Sequence, residues 1–223
     1  MLEIRASSLA LIMTNPRGVD KTPLSETAKS HLISMFKDEH FNFPAFSGSK
    51  YTEKGHEVED EAIFQSSILD GMMYEKNEEE KHNGWVKGTC DIFTGKKIID
   101  IKNSWDIGTH CFFQSEADKK TKDGGYEWQL WAYMWLWSVT EAELHYWLLP
   151  TPEEVLGKWD DEGKHITLVN QIPIKKRRTI QSFKFDESLI EPVKAKITLA
   201  REFYKELEVE RGITGGDDGL ECI

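Results

Sequence analysis

Cysteine is scarce in this chain of 223 residues: Cys90, Cys111 and Cys222 are scattered and form no CxxC pair. That excludes a disulfide framework, a cysteine zinc site and a four-cysteine iron–sulfur cluster, and it points to a reduced, cytoplasmic setting. Long apolar runs are missing too. No stretch approaches the roughly 18–20 residues of a membrane-spanning helix. The start, MLEIRASSLALIMTNP, has neither the basic cluster nor the small-residue cleavage site of a signal peptide. Glycine and proline are not in excess, which excludes a fibre, and 39 % hydrophobic residues are too many for a disordered chain. Positive charge is short as well. The 28 Lys+Arg face 39 Asp+Glu, a formal net charge of -11, which speaks against a simple basic nucleic-acid binder.

The acidity is concentrated. Residues 53–80 carry ten acids against Lys54 and Lys76, net -8, and residues 202–223 carry seven against Lys205 and Arg211, net -5. The remainder is at +2. Short basic runs stand at Lys119, Lys120 and Lys122 and at Lys175–Arg178. The length suits one domain over 1–210, followed by an acidic tail over 211–223.

Hydrophobic periodicity predicts helices over 5–14, 24–37 and 52–69, strands over 85–93 and 97–101, a helix over 126–139, a strand over 143–149, one or two strands over 172–185, and a long helix over 186–210. Residues 70–84 read as a polar connection and 104–124 as loop-rich. The helix over 126–139 is aromatic nearly all round, so burial is expected rather than base stacking. This order gives an α/β fold, a central mixed sheet flanked by helices.

The chemistry concentrates in Gly88-Thr89-Cys90-Asp91 and Ile98-Ile99-Asp100-Ile101-Lys102, joined through Thr94-Gly95-Lys96. With Gly95-Lys96 as a two-residue turn, positions whose numbers sum to 191 pair, so Asp91 faces Asp100. Lys102, two residues on, points to the same side. Two facing carboxylates repel each other unless a cation lies between them, and oxygen ligands suit Mg²⁺ or Mn²⁺. Such an ion activates water and offsets phosphoryl charge, while the lysine stabilises developing negative charge. The plain alternative is a hairpin with an exposed ion pair. Cys90 alternates to the opposite face as a small core residue. Gln129 and Tyr133, four residues apart, share a helix face.

With Gly55…Glu59 on the helix before the hairpin, this order of motifs resembles the PD-(D/E)XK nuclease superfamily, most closely its RecB-type and lambda-type phage exonuclease (YqaJ-like) branch. The resemblance covers about residues 50–135 and implies a restriction-endonuclease-like core. It implies Asp91, Asp100 and the backbone carbonyl of Ile101 as metal ligands, Glu59 as a further metal or water contact, and Lys102 as the catalytic lysine. Gln129 then orients the lysine or the water, and Tyr133 supports the site or touches DNA. Arg5, Ser7 and Ser8, on a serine-bearing first helix, are implied DNA-phosphate contacts. His56 is not at the ligand spacing of that branch and is taken as a surface or supporting residue. The implied activity is Mg²⁺- or Mn²⁺-dependent exonuclease action on double-stranded DNA with a free end, in phage-type recombination in the cytoplasm. A ring-shaped trimer and a single-strand annealing protein as partner are also implied, with no iron–sulfur cluster. An endonuclease on the same fold, or a catalytically silent DNA-binding or structural protein, are the alternatives.

Overall fold

The computed structural model describes residues 1–17, 23–44 and 48–213. In chain order the elements are β1 (Ile4–Arg5), α1 (Leu9–Met13), α2 (Glu26–Phe41), α3 (Lys50–Glu57), α4 (Glu59–Asp70), β2 (Lys81–His82), β3 (Val86–Gly88), β4 (Ile92–Phe93), β5 (Lys97–Asn103), α5 (Gln114–Gly124), α6 (Tyr126–Trp137), β6 (Glu141–Trp147), α7 (Leu168–Gln171), β7 (Arg178–Lys184) and α8 (Ile190–Glu210). The class is α/β, with mixed sheets and flanking helices. The chain falls into two compact units, one of Met1–Ala10 and Ser47–Ser188, the other of Leu11–Phe46 and Leu189–Ile223. The acidic tail expected over 211–223 lies, from residue 214 on, outside the described residues. No described helix is long and apolar enough to cross a membrane.

In the second unit, α2 and α8 pack together. The Ser25 hydroxyl accepts the Ala28 N–H at 3.0 Å and so starts α2, and Asn42, at φ 49°, ends it. Leu32 and Phe36 are buried, as are Val193, Ile197 and Tyr204 of α8. The Phe36 and Tyr204 rings meet edge-on at 5.8 Å, and the Tyr204 hydroxyl donates to Glu39 at 2.6 Å.

The first unit holds two sheets, β1-β3-β2 and β4-β5-β6-β7. β5 and β6 are parallel, whereas β4–β5 and β6–β7 are antiparallel. The hairpin pairs Ile92 with Ile99 and Phe93 with Ile98, the expected register. Thr94 N–H donates to Lys97 C=O at 3.1 Å, and Gly95 takes φ +81°, a conformation that favours glycine. Val58, Ala62 and Ile63 form a core with Ile92, Ile99, Ile101 and Trp147. The alternate residues of β5 face α6, whose Leu130, Trp131, Tyr133, Met134 and Trp137 are buried, as its all-round apolar sequence requires.

Several expected boundaries are corrected. The helix expected over 52–69 is two helices broken at Val58. Lys54 on α3 is anchored to the ends of two strands, while Val58 is drawn into the core, and the break serves both. The strand expected over 85–93 is interrupted at 89–91, so β3 and β4 belong to different sheets. The stretch 104–124 is not all loop. Its second half is α5, where Glu116 accepts the N–H groups of Phe112 and Phe113 and Gly125, at φ +66°, ends the helix. Ser7 and Ser8 lie inside a 3₁₀ turn, Ala6–Ser8, ahead of α1. Of 172–185, Arg178–Lys184 is strand.

Two buried polar networks brace the sheet. The Lys54 ammonium, 1 % exposed, donates to the carbonyls of Ser104, Trp105 and Leu149 at 2.8 Å each. Burial presses its pKa down to about 8, opposed by nearby Asp106. The three carbonyls favour the charged form as well. On the α4 side, Trp147 Nε1–H donates to Ser66 Oγ at 3.0 Å, Ser66 Oγ meets His145 Nδ1 at 3.3 Å, and His145 Nε2 meets Glu143 at 3.0 Å. Burial lowers the His145 pKa, so a neutral imidazole donating through Nε2–H suits this chain of bonds. The His145 hydrogen bond outweighs burial and, with Lys97 at 2.6 Å, holds Glu143 at about 2.

Two outcomes are expected. Lys54→Met strands three buried carbonyls and lowers stability by about 3 kcal/mol in urea unfolding. A loss under about 0.5 kcal/mol, the range of ordinary surface changes, shows that the clamp is dispensable. For Glu143 the folded pKa is depressed, so its contribution is complete above its ordinary value of 4.5 and is lost as pH falls toward about 2. Glu143→Gln therefore flattens the stability profile in that window, as read by unfolding at a series of acid pH values. An unchanged slope removes Glu143 from the account.

Candidate active site

β5 carries Asp100 and Lys102 side by side on the face toward α6. Asp100 is 1 % exposed, and the Lys102 ammonium lies 2.5 Å from its Oδ2. That oxygen takes no hydrogen bond of regular geometry among the described residues, so the contact is ionic rather than an aligned N–H bond. Its other oxygen accepts Gln129 Nε2–H at 3.3 Å. Gln129 also donates to the Tyr133 hydroxyl at 2.9 Å. The Tyr126 ring lies 5.2 Å from the Lys102 ammonium. Burial alone would lower the Lys102 pKa, but Asp100 and Asp91 outweigh it and keep the ammonium charged. Burial and Asp100 push the Tyr133 hydroxyl up, so it stays protonated.

Asp91 stands just before β4, next in register to Asp100. Its Oδ2 accepts the Ile101 N–H at 2.6 Å, which ties the loop to β5. Burial and then the like charge of Asp100 push its carboxyl up to about 8, against the pull of Lys102 and the Ile101 N–H. Glu59, the first residue of α4, adds to that negative field. Its own carboxylate is paired with Lys76 at 2.9 Å.

The structure therefore brings together Asp91, Asp100, Lys102, Gln129 and Tyr133, with Glu59 outside this cluster and paired with Lys76. Gln129 donates to Asp100, the carboxylate that holds the Lys102 ammonium, and to the Tyr133 hydroxyl. Arg5 ends β1, which runs parallel to β3 with Arg5 opposite Lys87, and Ser7 and Ser8 lie in the 3₁₀ turn that follows. Arg5 and Ser7 are exposed and Ser8 is half-buried. His56 is exposed, and Cys90 is wholly buried with its thiol pKa raised by burial, as a core residue should be.

Three contributors escaped the sequence reading. Lys76 forms a bridge to Ile92, and Asn77 binds the carbonyls on either side of the Asp91 Cα, its N–H to Asp91 C=O at 2.7 Å and its amide to Cys90 C=O at 3.0 Å. Nothing in the pattern of the acidic block marks them. Tyr126 had a signal, since 126, 129 and 133 follow the i, i+3, i+7 spacing of one helix face.

The two motif glycines differ. A Cβ on Gly88 would stand 2.9 Å from Tyr133 Cε1 and 3.2 Å from Ala6 Cβ, so only glycine lets the tyrosine close over β3. At Gly55 a Cβ would meet nothing within 4 Å among the described residues.

Among the described residues no three His, Cys, Asp or Glu side chains converge as a preformed metal nest. The smaller set of Asp91, Asp100 and the Ile101 carbonyl offers oxygen donors alone, the chemistry of Mg²⁺ or Mn²⁺. A cation also suits the buried Asp100 oxygen without an aligned hydrogen bond, and the crowding that raises Asp91.

Asp100 is buried, Asp91 beside it is half-buried, and a charged lysine stands against Asp100 on β5. Among solved structures, a phage-related exonuclease from Haemophilus somnus 129PT is 40 % identical, with a TM-score of 0.90 over 94 % of this chain and 96 % of that one. An alkaline exonuclease from Laribacter hongkongensis, 13 % identical, shares the fold at a TM-score of 0.62 over 94 % and 92 %. A second structure of that enzyme, in complex with dAMP, gives 0.60. No family model matches, and no curated protein matches. The chain belongs to the phage-related exonucleases, the lambda-type (YqaJ-like) branch of the PD-(D/E)XK nuclease superfamily.

The glycines give paired expectations. Gly88→Ala displaces the Tyr133 ring and costs about 1–3 kcal/mol. Gly55→Ala, in an open stretch of α3, is neutral or stabilising by about 0.5–1 kcal/mol. Chemical unfolding of both checks this, and the reverse ranking refutes the close-approach explanation.

Proposed function

We propose that this nuclease is a Mg²⁺- or Mn²⁺-dependent exonuclease that hydrolyses phosphodiester bonds of linear double-stranded DNA, serving phage-type recombination in the cytoplasm. The observation that carries the reading is the buried Asp100 beside Asp91 with the Lys102 ammonium against it. Asp91, Asp100 and the Ile101 carbonyl are the residues to hold the cation, with Glu59 beside them. A bound cation of this kind lowers the pKa of water and offsets phosphoryl charge. Lys102 keeps its proton and is a quarter exposed at the side chain, so it can place positive charge on the phosphoryl group as negative charge develops. Gln129 and Tyr133 fix the Asp100 carboxylate from the α6 side. Arg5, Ser7 and Ser8 are assigned to DNA phosphates. A structural neighbour's complex with dAMP supports deoxynucleoside monophosphates as products. The reading extends to a ring-shaped trimer and a single-strand annealing protein as partner.

Incubation of linear and covalently closed circular duplex DNA with Mg²⁺ tests this. The parent protein should degrade the linear DNA and spare the circle, and Lys102→Ala and Asp100→Asn should each lower the rate by about 10²–10³. Survival of the linear DNA refutes nuclease action of this kind, and cutting of the circle makes the enzyme an endonuclease. Normal rates in both variants refute the site.

A further inference from the structure

α4 hides Ala62, Ile63 and Ser66 in the core, but its outer face is apolar as well. Phe64 and Ile68 are each 57 % exposed, and beyond the helix end at Gly71, Met72 is 57 % and Met73 88 % exposed. Phe64 and Ile68, four residues apart, share one face of α4, and Met72 and Met73 follow in the turn after Gly71, which ends the helix at φ 63°. With the turn over 71–74 this face lines an open groove of about 710 Å³. Four large exposed apolar side chains on one short segment are more than the scattered singles of an ordinary surface. Methionines give it a surface that adapts to its occupant.

Charge decides between occupants. Asp60 and Glu78 line the groove, and Glu61 and Glu75, both exposed, flank it in the chain. The lysine at the groove, Lys76, is paired with Glu59 and Asp60. An acidic rim repels the phosphates of DNA, and a second copy of a chain with net charge -11 meets it with like charge. A positively charged helix with an apolar stripe satisfies both the floor and the rim. We propose that this groove docks a basic amphipathic helix of a partner protein, its apolar stripe on Phe64, Ile68 and Met72 and its lysines or arginines against the acidic rim. The groove adjoins Lys76 and thus the Glu59 corner of the site, so the partner is held next to the nuclease centre. The inference stands on the surface alone and does not depend on the activity.

The test uses two synthetic 18-residue peptides of identical leucine pattern (i, i+3, i+4, i+7), one with lysine and one with glutamate at the polar positions. Binding is read by fluorescence anisotropy at physiological salt. The Leu/Lys peptide should bind the parent protein and bind Phe64→Ser/Met72→Ser about tenfold more weakly. Met73→Ser, at the most exposed position of the four, should weaken it by a smaller factor and guards against a folding artefact in the double variant. Nuclease activity and the unfolding midpoint should be unchanged in Met73→Ser. Equal binding to parent and variants shows charge attraction alone and overturns the proposal. So does absence of binding or equal binding of the Leu/Glu peptide. A parent oligomer in sedimentation velocity that Met73→Ser and the double variant dissolve assigns the groove to a second copy and overturns it too.

Discussion

The contact between the Lys102 ammonium and the Asp100 carboxylate is the constraint around which the first unit is organised. Taking a carboxylate out of water costs several kcal/mol, and here two stand close together. Asp91 shows the strain of that arrangement in its raised pKa. The lysine is the local charge that makes the pair tolerable, and it is available only if the hairpin keeps its register. A slip of one residue would turn Asp100 and Lys102 to the α4 face and bring Ile99 and Ile101 out of the core. The isoleucines thus enforce the geometry of the charges. On the other side, Gln129 donates to Asp100 and to the Tyr133 hydroxyl, and the aromatic burial of α6 lowers the local dielectric, which strengthens each charge contact there.

A second buried ammonium sets the helical side of the site. Lys54 binds carbonyls at the ends of β5 and β6, so α3 is pinned to the strands that bear Asp100 and Lys102. Asn103 adds a bond to the Gly55 carbonyl at 3.3 Å. Three residues after Gly55 the helix breaks at Val58, and α4 opens with Glu59, the fourth residue after the glycine. A helix running unbroken through Val58 would carry its surface round by 100° per residue and present a different residue to the hairpin. The glycine-to-glutamate spacing is therefore not explained by the glycine's own packing, which is open. It is explained by the clamp one residue before it.

Legibility from sequence followed the range of each interaction. The hairpin was readable because turn type and a two-residue period fix pairing locally, and the aromatic helix because its apolar load leaves no other place for it. The helix α5 was hidden: it buries Ala117 and Thr121 alone, so its periodicity is faint, and its start depends on Glu116 rather than on a serine or threonine cap. The break at Val58 was invisible because the lysine that explains it finds its carbonyls 50 to 95 residues away. Lys76 and Asn77 were missed for the same reason. Their partners lie on other elements, and the block around them reads only as charge. Family motifs pointed to the residues that gather around Asp100, but the bond from Gln129 to Asp100 is a matter of side-chain placement.

The acidity of the chain has more than one cause. Within 53–80, Glu59 faces the site through Lys76, and Asp70 is bound by both arms of Arg178 at 2.6 and 2.9 Å. These charges are structural or local to the centre. Arg178 is thereby removed from the basic run, and so is Arg177, which is buried and donates to the carbonyls of Ile172 and Asn170. Only Lys175 and Lys176 of that run remain exposed. A surface with few free cations releases few counterions on meeting a duplex, so non-specific DNA affinity from this face is low. The other acids, Asp60, Glu61, Glu75 and Glu78, are exposed around an apolar stripe instead of around the centre. An acidic fringe on an apolar groove has no use in holding a polyanion. The same property that first speaks against DNA on the whole chain marks, once placed on the surface, the part of the molecule from which DNA is excluded and on which a basic helix fits.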